Sequence, residues 1–170
     1  MHDEHQFLIA ELDARRQHIL QTLEGLDDDV LLAKELPSRW SPAGLIHHLT
    51  HDVERFWFRQ VLMDEPSAIL TKPCDEAWDV PDGKSVADIL AEYRQEAEYN
   101  NALIAKTDLT MAPRWWDHDL FGNDGPNNLR EIVMHVIVET ATHAGHLDIV
   151  RELHDGTQHL VLTDESRPGR

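Results

Sequence analysis

Apolar residues recur at helical spacing in four separate stretches of the chain, and no stretch alternates apolar and polar residues over the length of a strand. The pattern predicts an all-α fold. The first helix is expected from about Asp3 to Leu23, with Leu8, Leu12, Ile19 and Leu23 on one side and Gly25 just past its end. The second opens at "WSPAGLIHHL", where Ser41 can cap the free amides and Pro42 takes the first helical position. Its apolar stripe runs through Leu45, Leu49, Val53, Phe56 and Trp57 to about Met63. The third starts at "SVAD", with Ser85 and Asp88 placed as a capping box, and carries Leu90, Tyr93, Ala97 and Ile104 to about Lys106. The fourth begins at Asn127 or Asn128, with Glu131 in its first turn, and stops at Gly156.

Four such helices pack most simply as a four-helix bundle, here one domain over residues 1–156 followed by a loosely ordered tail over 157–170. Two long connections, 64–84 and 109–126, interrupt the pattern and are rich in Pro, Asp and Trp. Long loops in compact domains tend to carry function, and the second, "LTMAPRWWDHDLFGNDGP", is expected to border the pocket of a metal site on the last helix, its Trp115 and Trp116 covering an apolar substrate. The tryptophans Trp40, Trp57, Trp115 and Trp116 read first as core.

Composition narrows the chemistry. Of 170 residues, 41% are hydrophobic, enough for one self-sufficient core, yet no apolar run approaches the length of a membrane span. The N-terminus "MHDEHQFLIA" is acidic where a secretory signal would be basic, so a cytoplasmic location is expected. A formal net charge of −17 opposes a phosphate backbone, so nucleic acid is not an expected partner. The single cysteine, Cys74, can neither close an internal disulfide nor build a thiolate cluster. Any metal must therefore sit on imidazoles and carboxylates, and twelve histidines make that worth testing.

The stretch "HVIVETATHAGHLDIVREL" places His135, Glu139 and His143 four residues apart in an otherwise apolar helix. On an ideal helical wheel Glu139 and His143 fall inside the stripe formed by Ile132, Val136, Leu147 and Val150. A buried carboxylate needs a cation, an arginine or strong donors. On the second helix His48 flanks the apolar stripe, while His47 and His51 are expected to face solvent. His48, Glu139 and His143 then supply three ligands, which with water is the pattern of an open zinc site. A helix-surface pair, or a core His bonded to Glu without metal, fits the same spacing. His135 and His146 flank the site as outer or pocket residues, and Asp52, one turn past His48, can orient a ligand.

"WSPAGLIHHLTHDVERFW" followed far downstream by "HVIVETATHAGHLDIVREL" resembles the DinB-like metal-binding helical bundle superfamily, with Trp40 eight residues before His48 and the closing "THAGHLD" as the specific parts. The resemblance implies a divalent metal on His48, Glu139 and His143. Many members carry His at the position of Glu139; the His, Glu, His version resembles the branch of mycothiol-dependent maleylpyruvate isomerase, related thiol transferases and single-domain actinobacterial proteins. It implies Zn2+, or Ni2+, and a low-molecular-weight thiol such as mycothiol as cosubstrate, activated as thiolate against an electrophilic small molecule. His146 is the expected proton carrier. A metal-dependent hydrolase and a non-enzymatic metal-binding interaction protein are the alternatives. Met134, Val138, Gly145 and Ile149 form a second apolar strip on the last helix, from which a homodimer is expected.

Overall fold

The computed structural model describes residues 3–66 and 78–159; Cys74, most of the first long connection and the tail from residue 160 lie outside them. The described residues form helices and connections, with no strand among them. The long helices are α1 (Glu4–Leu23), α3 (Pro42–His48) with its continuation through Leu62, α4 (Val86–Lys106) and α6 (Leu129–Asp155). Two short helices, α2 (Asp28–Leu32) and α5 (His118–Phe121), lie in connections and are too short to carry a periodic signal. α1 packs along α6, α6 against the α3 continuation, that continuation against α4, and α4 against α1, which closes a ring of four.

Local chemistry sets the helix ends. The Ser41 hydroxyl accepts the amide of Gly44 at 3.0 Å, and Pro42 sits where an N–H is not needed. Ser85 and Asp88 form a reciprocal capping box, and the Asn128 side chain accepts the amide of Glu131. α6 ends where Gly156 adopts a left-handed φ of 79°.

Past His48 the second rod continues as a π-helix over Leu49–Leu62, whose backbone bonds reach one residue further than those of an α-helix. The wider turn changes what faces inward: Leu49, Glu54, Phe58 and Leu62 are all buried. An α-helical wheel does not put Glu54 inside. Its carboxylate is fully buried and takes two 2.7 Å hydrogen bonds from the Arg16 guanidinium of α1 and one of 2.8 Å from the Asn100 amide of α4. Arg16 also donates to Asp13 and Asn101. Burial alone would push Arg16 down, but the charge of Glu54 outweighs it and holds the guanidinium above its ordinary value. The ion pair is thus fully hydrogen-bonded inside the bundle.

Thr157 to His159, expected to be loosely ordered, instead fold back on the bundle, with the His159 ring stacked on His18 of α1 at 3.6 Å. Removing one partner of a buried pair strands a charge. Arg16→Met is expected to cost about 3–5 kcal/mol by urea unfolding, and adding Glu54→Leu to recover a large part of it; equal losses in the single and double variants would show that Glu54 does not depend on Arg16.

Candidate metal centre

His48 and the helix after it bring one half of the site, α6 the other. His48 Nδ1 lies 2.9 Å from the Asp52 carboxylate one turn on. A carboxylate only accepts, so Nδ1 is the donor, and in the neutral tautomer Nε2 is the nitrogen with the lone pair. The ring is held between two neighbours: Trp78 stacks on it at 3.9 Å, nearly parallel, and His143 meets it edge-on at 5.2 Å. Trp78 also stands 5.4 Å from the His143 ring.

On α6, His143 is buried, with Nε2 3.6 Å from the Glu139 carboxylate and Nδ1 3.3 Å from Nδ1 of His146. Burial, and then the neighbouring His48 and His146, push His143 down to about 4, so it is neutral near pH 7. The Trp40 ring lies 6.4 Å from His146. His48 of the second long helix therefore meets His143 of the last, with the Glu139 carboxylate beside His143 on the same helix.

Two expectations need correction. Glu139 is not buried: its side chain is 37% exposed. The buried stripe of α6 comprises Leu129, Ile132, Val133, Val136, Thr140, His143, Ala144 and Leu147, so its centre lies further round the helix and Glu139 stands at its rim. Thr140 and Ala144 enter the interior because the threonine hydroxyl is satisfied by its own helix, donating to Val136 O at 2.7 Å. Burial therefore does not oblige Glu139 to find a cation. At the rim its three side-chain torsions remain free to turn the carboxylate toward His143.

The second correction concerns His47, which is only 3% exposed. α3 has no solvated side; Pro42 through His47 are all buried between α4 and the end of the first long connection. The His47 and His51 rings lie 4.2 Å apart, and with Glu92 they form a group whose candidate ligand atoms all fall within 4.8 Å. His48, Glu139 and His143 are not as closely gathered. The Glu92 carboxylate, however, already pairs with Arg55 at 2.9 Å and with Lys84, and Arg55 also lies 3.2 Å from His51 Nδ1. Two cations around one carboxylate make this an ion-pair cluster that repels a further cation.

The aromatic walls come from both connections. Trp78, which lacks any periodic signal, is the ring that touches His48; only the Pro, Asp and Trp content of its long loop points to it. Trp115 and Trp116 do not reach His48. They belong to a cluster with Phe56, Trp57 and Phe121 that extends through Trp57 to His135, whose Nε2 is 4.0 Å from Glu139. The expectation that Trp115 and Trp116 bring the 109–126 loop to the metal pocket is therefore not met; their rings pack on Phe56 and Trp57 instead. The loop is tied there by the Arg114 and Trp115 amides, both donating to Val61 O, one of the open carbonyls at the helix end.

An all-helical bundle with imidazoles and a carboxylate converging from its second and last long helices is the architecture of a DinB-like protein. The chain belongs to the mycothiol-S-transferase family, whose model, described as Mycothiol-S-transferase, matches residues 7–156, from α1 to the end of α6. A comparison with curated proteins gives no match.

Trp78 owes its place to a missing side chain. A Cβ at residue 44 would lie 2.0 Å from the Trp78 carbonyl oxygen, a backbone atom with little room to yield. Gly44→Ala is therefore expected to lower stability by about 1–3 kcal/mol in chemical unfolding and to shift the tryptophan emission as Trp78 leaves His48; unchanged stability and emission would mean that the loop does not rest on α3.

Proposed function

We propose that this chain is a divalent-metal-dependent, mycothiol-type S-transferase. The reading is carried by the convergence of His48, Glu139 and His143 from two helices in a chain of the mycothiol-S-transferase family. The donor set fits a borderline cation such as Zn2+, with Ni2+ acceptable to the same ligands. His48 presents Nε2 because Asp52 holds Nδ1, and the neutral His143 offers a lone pair without first losing a proton. The bound ion supplies positive charge that favours thiolate over thiol near neutral pH.

The residues around it would do the rest. Trp78 and Trp40 cover the His48 and His146 side, while Trp57 and His135 stand beside Glu139, so an apolar electrophile meets aromatic surface on both flanks. His146, 3.3 Å from His143, is the group placed to take the thiol proton. The thiolate sulfur then bonds to the electrophilic carbon as the leaving group departs with the bonding pair. The catalytic unit is one domain over residues 1–156, with 157–170 as a tail, working in the cytoplasm on a small molecule and its thiol. Among the described residues, no helix is long and apolar enough to cross a membrane.

Two measurements test this. Purified His143→Ala is expected to hold one equivalent of divalent ion fewer than wild type and Glu139→Gln to bind that equivalent more weakly, while the exposed His154→Ala matches wild type; equal metal content in His143→Ala and wild type overturns the assignment. Mixed with a fluorogenic alkyl halide, the protein is expected to form thioether only when mycothiol is present, and turnover without thiol would favour the hydrolase reading.

A homodimer is part of the same proposal. Met134, Val138 and Ile149 on α6 are each about half exposed, Leu153 is more so, and Gly145 between them has open space above it. Such a strip covers apolar surface best against a second copy. Sedimentation at micromolar concentration is expected to give twice the 19.5 kDa chain mass, and Val138→Glu with Ile149→Glu to give monomer; a wild-type monomer refutes it.

A further inference from the structure

A second set of metal-ligating groups lies on the other flank of the bundle, away from His48. His18 of α1 places Nε2 2.8 Å from the Asp148 carboxylate of α6, and His159, three residues past the Gly156 cap, lays its ring on His18 at 3.6 Å and 18° from parallel. All three are half-buried, and their candidate ligand atoms lie within 4.8 Å of one another. They arrive from three separate parts of the chain, so no local helix pattern forces them together.

The surroundings favour a cation. Among the described residues no lysine or arginine pairs with Asp148, whose other partner is the Thr22 hydroxyl at 3.1 Å. The nearest guanidinium, Arg151, is committed elsewhere: one nitrogen donates to the Thr22 and Glu24 carbonyls, and Nε lies 2.8 Å from Asp155. This differs from the His47, His51 and Glu92 group, whose carboxylate already has Arg55 and Lys84. The His18 and His159 rings are stacked, so one of them must turn about its Cβ–Cγ bond for an in-plane lone pair of each to meet a single ion. Beside them is a cavity of about 90 Å³ lined by Thr22, Asp148, Gln158 and His159 and also by Arg151, which has room for an ion only where Arg151 stays turned to Asp155 and the Thr22 and Glu24 carbonyls.

We propose that His18, Asp148 and His159 form a second divalent-cation site, of the two-imidazole, one-carboxylate type suited to Zn2+, which fastens the segment after α6 to α1. The cation replaces the proton now shared between His18 Nε2 and Asp148, and that proton goes to solvent. The site is structural. It requires nothing of the mycothiol chemistry and does not depend on His48, Glu139 or His143.

The test is zinc stoichiometry of the untagged full chain, stripped with chelator and dialysed against Zn2+ alone, in wild type, His159→Ala and Asp148→Asn. His159 lies past the last helix, and the side-chain amide introduced by Asp148→Asn can still bond His18 and Thr22, so both variants keep the fold. Each is expected to bind one equivalent fewer than wild type, with affinity at that site down by roughly a hundredfold or more, and to lose part of the zinc-dependent rise in melting temperature. Because the measure is a difference, it reads the same whether or not the first centre takes zinc. Equal stoichiometry in wild type and His159→Ala overturns the proposal, as does a loss in His159→Ala that Asp148→Asn does not share.

Discussion

Glu54 is fully buried and paired with Arg16 at a point where α1, α4 and the π-helical rod meet. Stranded there it would cost several kcal/mol, so the rod has one tolerable rotation about its axis, the one that aims Glu54 at Arg16 and Asn100. That rotation decides what the two adjacent histidines above it do. His48 is turned toward α6 and His143, while His47 is turned toward α4 and packed beside His51. The electrostatic pin and the candidate centre are parts of one rigid element, and the pin sets the angle at which the centre's first ligand is presented.

The two halves of the centre are held by different means. His48 is fixed by Asp52 on one edge and Trp78 on its face, so its orientation is settled before anything binds. Glu139 has no comparable restraint and stands at the rim of the interior. If these three residues hold a cation, as proposed, the carboxylate is the ligand that could change its number of oxygen contacts without moving a helix.

Much of this is legible in the sequence, because it rests on short-range chemistry. Ser41 with Pro42, Ser85 with Asp88, and Asn128 state helix starts outright, and the apolar stripe of α1 reads directly from Leu8, Leu12, Ile19 and Leu23. Spacing and helical facing point to His48, Glu139 and His143, and in the structure His48 meets His143 edge-on while Glu139 stands beside His143 at the rim. What is not legible depends on partners distant in sequence. Arg16 and Glu54 each look like solvated charges until they are seen together. His47 reads as solvated only on the premise that every bundle helix has a wet face, and α3 has none. The rim position of Glu139 follows from Thr140 and Ala144 taking interior places that hydrophobicity alone does not award them. Trp78 has no periodicity to betray it, since its position is set by a loop.

The seat beneath Trp78 is bare helical backbone at Gly44, thirty-four positions earlier in the chain. A seat of that kind does not exist in the unfolded chain; it appears only when α3 has coiled. The loop must then close over a long sequence separation, at an entropic cost no local contact repays. The aromatic cover over His48 therefore depends on α3 having coiled first. A substitution at Gly44 would thus be felt at His48 through the Trp78 backbone, without touching either ring.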